Sequence, residues 1–173
     1  MRKSKMKTTI VNSKDEIIGY KERGTLNCDT DIYRVTALWI TNSENQILLG
    51  KRALTKKQNP GKWAPAVAGT VEQGETYDSN IIKEAEEELG LNLKNIPPKK
   101  WIKTNTLIHN YKHFTQWYLL KLDKPLSYFH PNSEISDLKW FTEQELLKLA
   151  EENGDELVNT LRDIIEEQGL PEF

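Results

Sequence analysis

Three glutamates are spaced so that one side of a helix would gather them. Residues 76–90 predict a helix, because capping residues stand at its start and Gly90 can end it. At about 100° per residue, Glu84, Glu87 and Glu88 share an arc of roughly 100°. This acidic stripe adjoins an apolar arc formed by Ile81, Ile82, Ala85 and Leu89. The carboxylates are therefore expected at the edge of the face that packs into the core.

A divalent cation would turn this stripe into a binding site. Like charges three or four residues apart on a helix repel by a few tenths of a kcal/mol, so a helix built only for stability would intersperse more lysines. Magnesium prefers carboxylate oxygens and shares its octahedron with water and phosphate oxygens. A glutamate-rich helix by itself is more often a solvated acidic face, so the helix alone does not decide between the two interpretations.

The loop before the helix favours the chemical interpretation. Gly69 is followed after five residues by Glu75 and after seven more by residues 83–91, Lys-Glu-Ala-Glu-Glu-Glu-Leu-Gly-Leu. This arrangement resembles the Nudix box, whose pattern is G-x5-E-x7-R-E-U-x-E-E-x-G-U, with U a bulky apolar residue. All six positions that the pattern fixes as glycine or glutamate are met, and a chance match is on the order of 10⁻⁵ to 10⁻⁴ per chain.

Two motif positions depart from the family pattern. Ala85 replaces a larger aliphatic residue, and Lys83 stands where the family has arginine. Lysine keeps the positive charge but lacks the planar fork that grips a carboxylate with two hydrogen bonds. We expect activity to survive, with a less rigid orientation of the carboxylate that Lys83 holds.

The resemblance implies a role for the motif residues. It implies that Glu87 and Glu88 ligate magnesium, with Glu84 as a further ligand or as the base that activates water. Glu75 would help to fix the loop and the metal-bound water. The carbonyl of Ala68, just before the motif glycine, would supply another ligand. Together with Lys83, this set forms the predicted catalytic and metal-binding site.

Two residues outside the motif are further candidates. Glu134 resembles a late glutamate that some relatives bring into the site from a loop as a ligand or base, and the alternative is an exposed loop acid. Arg52 belongs to a basic cluster just ahead of the site and could contact substrate phosphate. A mobile, solvated loop is the alternative explanation of that cluster.

The implied activity is hydrolysis of a diphosphate linkage in a nucleoside diphosphate derivative or a similar small molecule. Mg²⁺ would be the cofactor, with Mn²⁺ as a substitute. Residues 52–57 and 60–63 also resemble isopentenyl-diphosphate isomerase, but the catalytic cysteine and metal-binding histidine of that enzyme correspond to Ala68 and Thr70. A non-catalytic Nudix domain that senses a nucleotide is a third alternative, disfavoured because the acidic positions are retained. The substrate stays open, since selectivity lies in loops outside the box.

The elements that must position these residues follow from turns and from alternation of apolar side chains. We predict an N-terminal hairpin at about 8–22, strands at 33–41, 46–52, 101–108, 114–122 and 138–141, and closing helices at 142–152 and 156–167. Residues 1–7 are expected to be a disordered tail. The order of elements predicts the α/β class with a mixed β-sheet, and the resemblance implies a Nudix-type α/β/α sandwich with its core at about 31–150. Residues 1–173 are expected to form one domain.

Composition narrows the partners of this 173-residue chain. Its net charge of −2 offers no global positive field for a nucleic-acid polymer or an anionic membrane. The single cysteine, Cys28, excludes an intramolecular disulfide, and no apolar run of about 18 residues could cross a bilayer. We expect a cytoplasmic protein that binds a small diphosphate, and the sequence leaves open a homodimer.

Overall fold

The computed structural model describes residues 6–106 and 111–171. Its strands are β1 (Lys7–Val11), β2 (Ile17–Glu22), β3 (Ile32–Thr41), β4 (Ile47–Arg52), β5 (Trp63–Pro65), β6 (Val67–Thr70), β7 (Lys99–Thr106), β8 (His113–Lys121) and β9 (Ile135–Phe141). The α-helices are α1 (Tyr77–Leu89), α2 (Glu143–Asn153) and α3 (Asn159–Gln168). No helix of these residues is long and apolar enough to cross a membrane.

All of these strands join one mixed sheet with β3 at its centre. Strand β3 pairs with β8 in parallel and with β1, β4 and β6 in antiparallel fashion. Strands β5 and β9 pair with β4, while β2 and β7 extend the sheet from β1 and β8. The mixed sheet and the α/β class are therefore as the sequence predicts.

The sheet separates two apolar cores. Successive side chains of a strand point to opposite faces, so β3 sends Leu38 and Ile40 to one face and Ala37 and Trp39 to the other. The first pair packs with buried residues of α1. The second packs with residues of α2 and α3, among them Leu161. This gives the α/β/α layering that was expected and leaves α1 alone on its face.

The N-terminal hairpin is fastened to the rest of the sheet by Asp15. This residue lies in the β1–β2 turn with a left-handed φ of 63°. Its carboxylate accepts hydrogen bonds from Arg34 Nε at 2.7 Å, Lys103 Nζ at 2.6 Å and the Tyr77 hydroxyl at 3.0 Å. The two cations also lie 5.0 Å and 4.7 Å from the centroid of the Tyr77 ring. The turn is thus tied to β3, β7 and the first residue of α1.

Several predicted boundaries need correction. Lys7 belongs to β1 and not to a disordered tail, because it pairs with Glu22 and its carbonyl accepts from Gln73 N–H. Of the rest of the predicted tail, residues 1–5 lie outside the described residues and Met6 is exposed. Strand β9 begins at Ile135 and not at residue 138, since its first residues pair with the end of β4. Helix α3 begins at Asn159, because a 3₁₀ turn at residues 154–156 precedes it.

In the middle of the chain, two strands were not predicted and one predicted strand has different bounds. The segment 63–70 has no strand pattern of its own, yet it forms β5 and β6 by pairing with β4 and β3. Strand β7 begins at Lys99 and not at residue 101, and its predicted end at 107–108 lies outside the described residues.

Candidate active site

Helix α1 is fixed at both ends by its own sequence. The Thr76 side chain accepts from Ser79 N–H, and the Ser79 hydroxyl accepts from Thr76 N–H, so two free N–H groups of the first turn are satisfied. Gly90 ends the helix with a left-handed φ of 69°. The predicted capping of the start of this helix and its end at Gly90 are confirmed, with Thr76 as the capping residue.

Gly69 brings the motif loop against the helix. A Cβ atom at this position would lie 2.2 Å from both Cγ and Cδ of Glu84. No side chain at position 69 is therefore compatible with this placement of Glu84. Glycine allows the motif loop and the Glu84 side chain to approach closely. The φ of Gly69 is not left-handed, so the requirement concerns space and not backbone conformation.

Lys83 lies close to two glutamates of the motif loop and to one of the helix. Its Nζ lies 2.7 Å from Glu75 Oε1, 3.1 Å from Glu72 Oε2 and 3.4 Å from Glu84 Oε1. Burial alone would lower the pKa of Lys83, but hydrogen bonds to Glu75 and Glu72 outweigh it and raise that pKa. Burial would raise the pKa of Glu75, and bonds from Lys83, Glu72 N–H and Asn80 lower it instead. Lys83 and Glu75 thus stay charged and hold each other. Glu72, which was not predicted as a site residue, joins them.

Asn80 is a second residue that the motif did not reveal. It is fully buried in α1, and its Nδ2 lies 2.8 Å from Glu75 Oε2 and 3.3 Å from Glu84 Oε1. Thr36 of β3 donates to its Oδ1. The available sequence signal is the spacing, since a residue four positions before Glu84 faces the same side of the helix.

Glu88 is the most perturbed carboxyl of the acidic stripe. Its Oε2 accepts from Ala68 N–H at 2.8 Å. Burial, and to a smaller extent the charge of Glu84, raise the pKa of Glu88 to about 8 despite that hydrogen bond. Burial also raises the pKa of Glu84, which Lys83 counteracts and Glu87 reinforces. The structure therefore places a carboxyl of raised pKa beside each of Ala68 and Gly69, while Glu87 is exposed.

Arg52 and Glu134 lie on the same side of the molecule as Glu88. Burial lowers the pKa of Arg52, and the charges of Glu88 and Glu134 raise it in part, so all three groups are within electrostatic reach. Ala53 N–H donates to the Glu134 carbonyl at 2.8 Å. The Glu134 carboxylate forms an ion pair with Lys56. This late glutamate is thus brought near the motif from a sequence distance of 46 residues beyond Glu88.

The donor atoms suit a hard divalent cation, but their present arrangement does not enclose one. Within residues 6–106 and 111–171, no group of three or more His, Cys, Asp or Glu side chains is arranged so that it could hold a metal ion. Glu84 and Glu88 instead bond to Lys83, Asn80 and Ala68 N–H. Two neighbouring carboxyls of raised pKa would gain most from a cation, which favours their ionised form.

Comparison with known proteins identifies relatives of this arrangement. A model of the NUDIX domain family matches residues 32–161. The isopentenyl-diphosphate Delta-isomerase of Citrobacter koseri is 36% identical over 70 residues, which cover 40% of this chain and 39% of the isomerase. The corresponding protein of Klebsiella pneumoniae subsp. pneumoniae is 30% identical over 90 residues, 51% of this chain and 49% of that protein. The chain thus spans half the length or less of these curated relatives.

Solved structures show the same fold. The protein DR0079 from Deinococcus radiodurans superposes with a TM-score of 0.80 at 24% identity, covering 92% of this chain and 97% of that one. The MutT protein from Methanosarcina mazei gives 0.65 at 19% identity, covering 78% and 91%. An Ap4A hydrolase from C. elegans gives 0.57 at 17% identity, covering 77% and 92%. The expected sandwich fold is confirmed by these likenesses.

Proposed function

The chain belongs to the NUDIX domain family, and from that premise we propose that it is a magnesium-dependent hydrolase of a small diphosphate compound. The observation that carries the proposal is the packing of Glu84 against Gly69 beside the raised-pKa carboxyl of Glu88. The substrate class is a nucleoside diphosphate derivative or a similar molecule. Mn²⁺ is expected to substitute for Mg²⁺.

The cation would be held by Glu84, Glu87 and Glu88, with Glu134 as a further ligand. When bound, it supplies neutralisation of the phosphate oxygens and a more acidic water. The Ala68 carbonyl is also suitable, because the N–H and C=O of one strand residue point to the same side and the N–H faces Glu88.

The remaining roles fall to protein groups that the structure places nearby. Glu84 can accept the proton of the attacking water when it does not act as a ligand, and its raised pKa makes it a stronger base than an ordinary carboxylate. Lys83 and Glu75 keep the motif loop against α1. The half-buried Arg52 is suited to bind a substrate phosphate, because its guanidinium stays charged and can form two parallel hydrogen bonds.

A substrate panel tests the proposal. Nucleoside triphosphates, ADP-ribose, dinucleoside polyphosphates and prenyl diphosphates are incubated with and without Mg²⁺ or Mn²⁺, and products are followed by ³¹P NMR. We expect metal-dependent cleavage of at least one compound. Glu87→Gln and Glu88→Gln should each lower kcat by about two orders of magnitude or more, because a lost ligand removes charge stabilisation at the phosphate.

The matched control is Glu86→Gln, which changes an exposed glutamate of the same helix outside the motif positions. It should leave kcat unchanged. Turnover that persists in Glu87→Gln and Glu88→Gln would contradict the assigned metal site. Absence of cleavage across the panel with either metal would contradict the hydrolase itself.

Isomerisation of isopentenyl diphosphate is the second candidate, favoured by the isomerase relatives. The family's catalytic cysteine and metal-binding histidine positions are Ala68 and Thr70 here, so the residues that the isomerase would use are not in place. Proton NMR of isopentenyl diphosphate with the protein separates the two activities. A shifted double bond with the diphosphate intact indicates the isomerase, and released phosphate indicates the hydrolase.

A further inference from the structure

Asn80 is an amide placed where the core would favour an apolar residue. It is 0% exposed, as is its neighbour Ile81, and it lies in the first half of α1. A buried amide costs several kcal/mol unless its hydrogen bonds are made. Asparagine is also less favourable than alanine within a helix. Asparagine at this position therefore needs hydrogen-bond partners that offset both the desolvation of its amide and its lower helix propensity.

The partners of Asn80 fix the orientation of its amide. The ionised carboxylate of Glu75 only accepts hydrogen bonds, so Nδ2 must face it at 2.8 Å. The same nitrogen lies 3.3 Å from Glu84 Oε1. Nδ2 also lies 3.2 Å from the Thr70 carbonyl, so two hydrogens serve three acceptors and the Glu75 bond is the shortest. On the other side, Oδ1 accepts from the fully buried Thr36 hydroxyl at 2.5 Å. The acceptor groups thus set which way the amide faces, and Thr36 donates to the oxygen that this orientation presents.

Asn80 and Lys83 approach the same two carboxylates from different directions. Glu75 presents Oε1 to Lys83 at 2.7 Å and Oε2 to Asn80. Glu84 presents Oε1 to both, at 3.4 Å from Nζ and 3.3 Å from Nδ2. An ammonium group concentrates its donors on one atom, whereas a guanidinium spreads five over a plane. Asn80 supplies the second donor centre that lysine lacks.

We propose that Asn80 is a positioning residue which, together with Lys83, replaces the single arginine of the family motif in orienting Glu75 and Glu84. Thr36 completes the network by donating a hydrogen bond to the amide oxygen of Asn80. The consequence for catalysis rests on the proposed function, because only there do these carboxylates serve the reaction. The hydrogen bonds from Asn80 to the two carboxylates can be measured whether or not the protein is a hydrolase.

Steady-state kinetics of three variants test the catalytic consequence. Asn80→Ala should lower kcat roughly 10-fold and raise the half-saturating Mg²⁺ concentration, with KM for the substrate little changed, because the lost bonds concern carboxylates and not the substrate. Asn80→Asp should lower kcat further, since a third carboxylate would face Glu75 and Glu84. Adding Lys83→Arg to Asn80→Ala should restore most of kcat.

The matched control for lost stability is Leu146→Ala, in the core on the opposite face of the sheet. It should lower Tm while kcat and the Mg²⁺ requirement stay unchanged. If Asn80→Ala does not fold, Thr36→Val tests the same network and should change kcat and the Mg²⁺ requirement in the same direction. Unchanged values in the folded variant, or a loss that Lys83→Arg does not relieve, would overturn the proposal.

Carboxyl ¹³C NMR of the metal-free protein separates this inference from the proposed function. The Cδ signals of Glu75 and Glu84 should shift in Asn80→Ala and return towards wild type when Lys83→Arg is added. If the wild type proves inactive on every substrate, the proposed function fails, while these shifts still support the hold of Asn80. Unchanged signals in Asn80→Ala would overturn the inference whatever the activity.

Discussion

At the scale of single residues, the site depends on a missing side chain. Gly69 has no room for a Cβ because Glu84 lies directly over it. We predict that Gly69→Ala displaces Glu84 and lowers kcat by roughly 100-fold, similar to removal of a catalytic donor. The control is Gly19→Ala in β2, where a Cβ would meet nothing within 4 Å. A fully active Gly69→Ala protein would contradict the assigned role of Glu84.

Glu88 predicts how the stability of the metal-free protein depends on pH. Its pKa is raised by burial from 4.5 to about 8, so the folded state binds more protons than the unfolded state between these values. The contribution of Glu88 to the free energy of unfolding should therefore be greatest below pH 4.5. That contribution is lost as the pH rises from 4.5 through 8. Urea denaturation at several pH values measures it.

The control for this pH dependence is Glu88→Gln. A neutral amide at this position should flatten the slope between pH 5 and 8, because the only change is the loss of one titrating group. An equally steep slope in Glu88→Gln would show that other groups cause it. Added Mg²⁺ should stabilise the wild type more at pH 8 than at pH 5, since the cation requires ionised carboxylates.

At the scale of elements, the N-terminal hairpin supports the loop that carries the motif. Thr9 N–H donates to the Val71 carbonyl at 3.1 Å, and Gln73 N–H donates to the Lys7 carbonyl at 2.7 Å. Strand β1 thus holds both sides of the loop that contains Glu72. The hairpin lies outside residues 32–161, which match the family model, yet its backbone bonds to the loop of the motif.

The Asp15 turn is the point at which this support can be weakened. Burial would raise the pKa of Asp15, but hydrogen bonds from Lys103 and Arg34 outweigh it and lower that pKa, so the side chain is ionised at neutral pH. We predict that Asp15→Asn lowers the free energy of unfolding by about 2 kcal/mol. The substitution removes charge-assisted hydrogen bonds and leaves the half-buried Arg34 without its carboxylate partner. Urea denaturation measures the change, with the exposed Asp123→Asn as control. Equal stability of the two variants would contradict the proposed role of Asp15 in holding the β1–β2 turn against the rest of the sheet.

At the scale of the whole molecule, we expect only one of the two cores to affect catalysis. The core that contains α1 positions the site, and the core that contains α2 and α3 covers the other face of the sheet. Leu89 and Leu161 are both fully buried, one in each core. We predict that alanine at either position costs about 2–5 kcal/mol of stability. Only Leu89→Ala should also lower kcat, because Leu89 adjoins Glu88 and anchors the end of α1.

Thermal denaturation and kinetics at a temperature where both variants are folded check this difference. Similar losses of Tm with unequal kcat would support this expectation. Equal loss of kcat in Leu161→Ala would show that the far core also controls the site.

The sequence by itself determined what depends on neighbours along the chain. The caps of α1, its apolar face and the acidic stripe follow from helical periodicity, and the spacing from Gly69 to Gly90 was enough to indicate the family. Alternating side chains located β3 and β4 to within a residue or two. These features depend on residues a few positions apart, whose relative placement the backbone geometry dictates.

Only the tertiary structure decided which distant groups meet. Thr36 and Asn80 are 44 residues apart, and Lys56 and Glu134 are 78 apart, so no local period relates them. Strands β5 and β6 exist through pairing with β4 and β3, and their own side chains carry no alternation that would reveal them. The need for glycine at position 69 likewise became clear only from the neighbouring Glu84. Hydrogen bonding and close packing depend on separation in space, and that separation is set only once the sheet and α1 are assembled.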